Sequence, residues 1–327
     1  RVRSVEGLVH GRRLAEAVDG LLEAGAELGG GLLGGRLPGH PARPGGGGAG
    51  FGGATLWIAN FGDKAGGWTS QDIYPRTVGD VNGDGKADVV GFGNKGIYVA
   101  LSTGKSFAAP TVWVAGYGVK AGNWTSQNLY PRFVADVSGD GKADAVGFGH
   151  AGVYVSLSTG SSFGSPTIWL RTFGRGAGGW TSQDLYPRAL ADVNGDGRTD
   201  VVGFGNKGVY TSLSAGSGLG TAKLSLADFG AGAGSWASQD IVPRTLADID
   251  ANQRADIVGF DEDGAMISLR GALSFSAPLL RKHSFGVNAG GWTSQDRYPR
   301  TMGDVNGDGK ADLVGFGNVG VYVAVMP

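Results

Sequence analysis

One block of residues occurs five times at a constant step and limits what this chain can fold into. It begins Trp68-Thr69-Ser70-Gln71, passes through Tyr74-Pro75-Arg76 and Asp80-Val81-Asn82-Gly83-Asp84-Gly85-Lys86-Ala87-Asp88, and ends Val90-Gly91-Phe92-Gly93. The same run returns behind Trp124, Trp180, Trp236 and Trp292, 56 residues apart. A fixed period of this length demands a stack of one supersecondary unit, because a single unit cannot bury its own apolar face.

Each repeat carries four short apolar segments bounded by turn residues. In the first they are Arg76 to Val81, Ala87 to Phe92, Gly96 to Ser102 and Thr111 to Tyr117, and the last two alternate apolar with polar residues. The 64 glycines carry no triplet period and fit many tight turns. Four antiparallel strands per unit predict an all-β fold, a β-propeller of four-stranded blades, with a solenoid as the alternative. The phase of the repeat favours a ring. An unpartnered fourth-strand segment, Thr55 to Phe61, opens the series, and an unpartnered third-strand segment, Gly320 to Val325, ends it. The expectation is five blades within residues 51–327, closed by the N-terminal strand; the alternative is a truncated seven-bladed propeller.

Residues 1–50 differ. The apolar spacing around Arg13 to Val18 and Leu21-Leu22 suits a weak amphipathic helix, and Gly/Pro-rich sequence follows through Gly45 to Gly48. This part reads as a low-complexity leader and linker. The net charge is −1, so no strong field draws in nucleic acid or anionic membrane. With no cysteine, neither disulfides nor thiolate chemistry enter. No apolar run approaches the roughly 20 residues that span a bilayer.

The turn between the first two strands carries hard-oxygen spacing. Asp80, Asn82, Asp84 and Asp88 stand at positions 1, 3, 5 and 9, with Gly85 at the sharp turn of position 6 and the Lys86 carbonyl at position 7. Three further sets match: Asp136, Ser138, Asp140, Lys142, Asp144; Asp192, Asn194, Asp196, Arg198, Asp200; and Asp304, Asn306, Asp308, Lys310, Asp312. Mutual repulsion of the carboxylates predicts a structural Ca2+ in these loops, although position 12 is Gly91 and not a bidentate glutamate. An Asx-type turn needing no metal is the alternative. In the fourth copy, Asp248, Asp250, Asn252 and Asp256, Gln253 replaces the turn glycine and predicts weak binding or none.

The loop entering each repeat is the candidate ligand surface. It offers Trp68, Gln71 and Asp72, then Trp124, Gln127 and Asn128, Trp180, Gln183 and Asp184, Trp236, Gln239 and Asp240, and Trp292, Gln295 and Asp296. An aromatic platform beside amide and carboxylate groups is the composition of small-ligand sites. Wedging neighbouring blades together is the competing role for the same tryptophans. Strand order places these loops on the face opposite the Asp/Gly turns, with the Asn94-Lys95 turn as the far wall of a cleft. Fourth-strand segments diverge between copies (Thr167 to Leu170 against Leu279 to Lys282), while the Trp loops barely change.

The block from Asp80 to Asp88, followed by Val90-Gly91-Phe92-Gly93, resembles the FG-GAP or VCBS repeat of integrin α-chain propellers and secreted bacterial proteins. The longer pattern, from Ala65-Gly66-Gly67-Trp68 to Gly96-Ile97-Tyr98-Val99, is most similar to the Psathyrella-type fungal lectins. The resemblance implies a seven-bladed propeller with calcium in such turns and clefts between blades for N-acetylglucosamine-type or sialylated sugars. This chain departs from that pattern in carrying five copies.

No catalytic residues are assigned. His10, His40, His150 and His283 fall at unrelated repeat positions or in the leader, and no nucleophile elbow, phosphate loop or zinc spacing occurs. The expectation is a non-enzymatic, secreted, multivalent lectin-like protein with no nucleic-acid partner. The alternatives are an adhesion scaffold and the non-catalytic arm of a secreted hydrolase.

Overall fold

The computed structural model describes residues 53–327, so the helix and linker expected ahead of residue 51 lie outside the described residues. Every regular element described is a β-strand. The first blade is β1 (Arg76–Gly79), β2 (Asp88–Phe92), β3 (Ile97–Ala100) and β4 (Thr111–Val114), paired in that order. The second is β5 (Arg132–Ala135), β6 (Asp144–Phe148), β7 (Val153–Ser156) and β8 (Thr167–Leu170). The third is β9 (Arg188–Ala191), β10 (Asp200–Gly205), β11 (Gly208–Ser212) and β12 (Lys223–Leu226). The fourth is β13 (Arg244–Ala247), β14 (Asp256–Phe260), β15 (Ala265–Ser268) and β16 (Leu279–Lys282). The fifth sheet holds β17 (Arg300–Gly303), β18 (Asp312–Gly317) and β19 (Gly320–Ala324).

The first strands of successive blades pack on one another, β1 on β5, β9 on β13 and β13 on β17, which makes them the inner strands of a β-propeller. Second and third strands carry the core between blades. In β6 every residue is buried, as expected for a strand covered on both faces. A register shift recurs where the fourth strand meets the third, between Ile97 and Tyr98, Val153 and Tyr154, Val209 and Tyr210, and Ala265 and Met266. Such a bulge bends the outer edge of each blade.

The ring does not close through the N-terminal strand, and this corrects the sequence expectation. Residues 55–60 form no strand, and the fifth sheet has three strands. Segment 55–61 does occupy a fourth-strand place against the first blade. Trp57 lies 5.5 Å from Phe107 and its carbonyl accepts the Phe107 N–H, as Trp113 does with Phe163 at 5.2 Å. Segment 55–61 and β19 nevertheless do not pair with each other. Both ends of the arc are consequently exposed: Val78 in β1 is 60% accessible and Phe316 in β18 is 47%, whereas its equivalent Phe92 is 0%.

Glycine at the second position of Val-Gly-Phe-Gly is a packing requirement. A Cβ on Gly203 would come within 2.6 Å of both Phe173 and Trp180. Gly203→Ala is expected to lower stability by about 2–3 kcal/mol through overpacking, measured by urea unfolding.

Candidate functional site

The five loop tryptophans are wedges first. All are buried, and each packs on an aromatic residue held in the left-handed backbone region: Phe61 (φ 61°), Tyr117 (59°), Phe173 (59°), Phe229 (56°) and Phe285 (68°). Bulky residues seldom adopt this conformation, which costs of order 1–3 kcal/mol and persists only where the surroundings enforce it.

The loop glutamines are clamps. Gln183 Oε1 accepts from the Arg188 backbone N–H at 2.9 Å and from Arg188 Nε at 2.8 Å, while Gln183 Nε2 donates to the Arg188 carbonyl at 2.9 Å. Gln71, Gln127, Gln239 and Gln295 repeat this geometry on Arg76, Arg132, Arg244 and Arg300. None of these five glutamine side chains is left to meet a ligand. The arginine held this way crosses to the preceding blade. The Arg188 guanidinium lies 5.7 Å from the Phe148 ring centre and donates to the Asn128 carbonyl. Burial pushes Arg132, Arg188 and Arg244 down to about 9 and Arg300 to about 10, which still leaves them cationic at neutral pH.

The acidic position of the loop joins one loop to the next. Asp72 Oδ1 accepts from Ser126 Oγ at 2.8 Å and from the Asn128 N–H at 3.1 Å. Asn128 Oδ1 accepts from the Gln183 N–H, Asp184 Oδ1 from Ser238 and Gln239, and Asp240 Oδ1 from the Asp296 N–H. Asp296 ends this series.

A cleft nevertheless opens beside two of the wedges, on residues that sequence reasoning mostly passed over. In the third repeat it encloses about 330 Å³ between Thr172, Gly178, Gly179, Trp180, Tyr186, Asn206 and Tyr210. In the first it encloses about 260 Å³ between the equivalent Asn60, Gly66, Gly67, Trp68, Tyr74, Asn94 and Tyr98. The expected far wall, the Asn94 turn, is in place: Tyr74 Oη donates to Asn94 Oδ1 at 3.3 Å, and Tyr298 Oη to Asn318 Oδ1 at 2.9 Å. The readable signal was joint loss, since the fourth repeat replaces this Tyr, Asn and Tyr together, with Val242, Glu262 and Met266.

The Asp/Gly turns lie on the opposite face, beside the turns between third and fourth strands. Their carboxylates are satisfied within the fold. Asp80 Oδ1 accepts the N–H groups of Gly83 and Asp84, and Oδ2 that of Gly85. Asp84 pairs with Lys86 at 2.9 Å, Asp140 with Lys142 at 2.6 Å and Asp196 with Arg198 at 2.5 Å. Asp88 is fully buried and ties Val81 N–H to Ser102 N–H. This is the arrangement of a self-sufficient Asx turn, although Asp80 Oδ2, which accepts one N–H, keeps a lone pair that could ligate a cation.

The fourth copy differs in geometry from the other four. Ala251 (φ 59°) and Gln253 (φ 64°) take the left-handed conformations that glycines adopt elsewhere. Asp248, Asp250 and Asp256 bring three carboxylate oxygens within 4.8 Å of one another. Two changes explain this. Asp250 stands where Asn or Ser stands in the other copies, and Arg254 turns to the Asn194 carbonyl of the preceding blade and so leaves its own loop uncompensated.

Blades of this geometry define a β-propeller, and residues 80–147 match the FG-GAP-like repeat family. The chain is similar, at 41% identity and a TM-score of 0.76, to an Agrocybe aegerita lectin that recognises non-reducing terminal N-acetylglucosamine. The match covers 82% of this chain and 66% of the lectin's, just under two thirds of its length. A Photorhabdus luminescens Tc holotoxin shares the fold at 21% identity and a TM-score of 0.52, over 76% of this chain and 11% of its own. No curated protein sequence matches.

Two outcomes are expected. Gln183→Ala strands a buried guanidinium and should cost about 3 kcal/mol in urea unfolding. Burial lifts Asp144, Asp200 and Asp256 to about 6, above the value near 3.9 of an unfolded chain. The folded form then takes up protons first, so in chelator these groups favour folding increasingly as pH falls from about 6 to 4. Urea titrations across that range measure the slope.

Proposed function

We propose that this chain is a multivalent carbohydrate-binding propeller, non-enzymatic in action, whose interblade clefts take N-acetylglucosamine-type termini. The observation that carries the reading is the recurrence of one cleft at equivalent positions, an indole edge, two tyrosines and an asparagine, in a chain 41% identical to a lectin for that sugar. Tyr186 and Tyr210 supply apolar rims for a sugar ring, and Asn206 supplies a donor and an acceptor for its hydroxyl or acetamido groups. The third cleft is also lined by Lys207, which suits an acidic sugar such as a sialylated terminus. Single monosaccharide contacts are weak, and several clefts on one rigid arc gain avidity on a repetitive glycan surface.

Calcium belongs to the same proposal as a structural ion of the Asp/Gly turns. The turns at Asp80, Asp136, Asp192 and Asp304 would hold it through positions 1, 3 and 5, and the fourth turn through Asp248, Asp250 and Asp256. It would replace the internal Lys and Arg counter-charges. Loops lacking a twelfth-position glutamate suit millimolar calcium and hence an extracellular setting.

A glycan array probed with the full chain is expected to show a coherent set ending in N-acetylglucosamine, weakened by Tyr186→Ala combined with Tyr298→Ala. A blank array from folded protein refutes the reading. Calcium at millimolar concentration is expected to raise the thermal midpoint, and chelator to reverse it; an unchanged midpoint removes calcium from the account.

A further inference from the structure

The five loop indoles differ in one respect. Trp68 Nε1 donates to Asn60 Oδ1 at 3.2 Å, and Trp236 Nε1 donates to Asp228 Oδ1 at 3.2 Å. The same oxygens accept the backbone N–H of Phe61 and Phe229, the strained corner residues, at 2.7 and 2.6 Å. One side chain therefore steadies the corner and occupies the indole donor. In the other repeats this position is Gly116, Thr172 or Ser284, and the indole N–H of Trp124, Trp180 and Trp292 has no acceptor within the described protein.

Those three N–H groups must face solvent, because no buried side-chain nitrogen among the described residues lacks a partner. For Trp180 that solvent is the cleft, which Thr172, Gly178 and Trp180 line together. The glycine two residues ahead keeps the approach open: a Cβ on Gly122, Gly178 or Gly290 would lie 2.7, 2.9 or 2.8 Å from the indole nitrogen. An indole N–H can only donate. A ligand that covers it without an acceptor leaves it unsatisfied, whereas one that brings a carbonyl or hydroxyl oxygen gains a bond.

We propose that the residue in the place of Asn60 decides which clefts take a ligand. Trp124, Trp180 and Trp292 present a free donor to an acceptor oxygen of a bound sugar, and Asn60 and Asp228 withhold it in the first and fourth clefts. The fourth cleft has also lost its Tyr, Asn and Tyr, so its capping carboxylate accompanies loss of the rest of the site. The proposal rests on the carbohydrate reading.

Indole 1H–15N spectra of the full chain, assigned through the backbone, test it in two stages. Without sugar, the indole protons of Trp68 and Trp236 are expected to exchange with water at least tenfold more slowly than those of Trp124, Trp180 and Trp292; equal rates overturn the cap. With N-acetylglucosamine, the three uncapped indoles are expected to shift and the two capped ones to stay. Thr172→Asn should slow exchange at Trp180 and abolish its shift, and Asn60→Gly should do the reverse at Trp68. Binding that shifts all five equally overturns this proposal alone. The expected exchange pattern with no shift, together with a blank glycan array, overturns it along with the carbohydrate reading.

Discussion

The structure depends on an arginine taken out of water between blades. Arg132, Arg188, Arg244 and Arg300 each lie over the phenylalanine of the preceding Val-Gly-Phe-Gly, 5.6–5.8 Å from the ring centre. A desolvated guanidinium is tolerated only where its donors are answered, and here a glutamine from its own loop and carbonyls from the neighbouring loop answer them. The cost of burial fixes the geometry of the joint, because any rotation of one blade against the next strands a charge. The Trp wedge, the left-handed aromatic and the obligatory glycine are the packing counterpart of that constraint.

This explains why the loop looked like a binding surface in the sequence. A tryptophan, an amide and a carboxylate repeated with little change are what a ligand site requires, and they are equally what a buried joint requires. The distinction lies in direction: Gln183 and Asp184 point into protein, and Tyr186, Asn206 and Tyr210 point into the cleft. The joint holds those outward groups at fixed spacing, so structural and cleft-facing positions fall to different residues.

The blade architecture was legible because period, turn glycines and strand alternation all point to one answer. Strand pairing followed it closely, as did the division into two faces. Closure was not legible, since it depends on how far each blade turns against the next, and spacing along the chain does not encode that angle. The charge balance of the Asp/Gly turns was not legible for another reason. Loop amides and Lys86 offset the repulsion among Asp80, Asp84 and Asp88, while in the fourth turn Arg254 points to the preceding blade. Counter-charges from a neighbouring blade are invisible to a motif.

The arginine–phenylalanine joint also gives the stack a polarity, like that of a polymer with unlike ends. Each blade offers an arginine to the unit before it and a phenyl ring to the unit after. Among the described residues, Arg76 at one end has no ring to lie on and Phe316 at the other has no guanidinium above it. A unit joining beyond Phe316 would have to bring an arginine, and one joining before Arg76 a phenylalanine, so blades can be added in only one sense. An insertion or exchange of whole repeats preserves every joint, whereas a reversed unit preserves none.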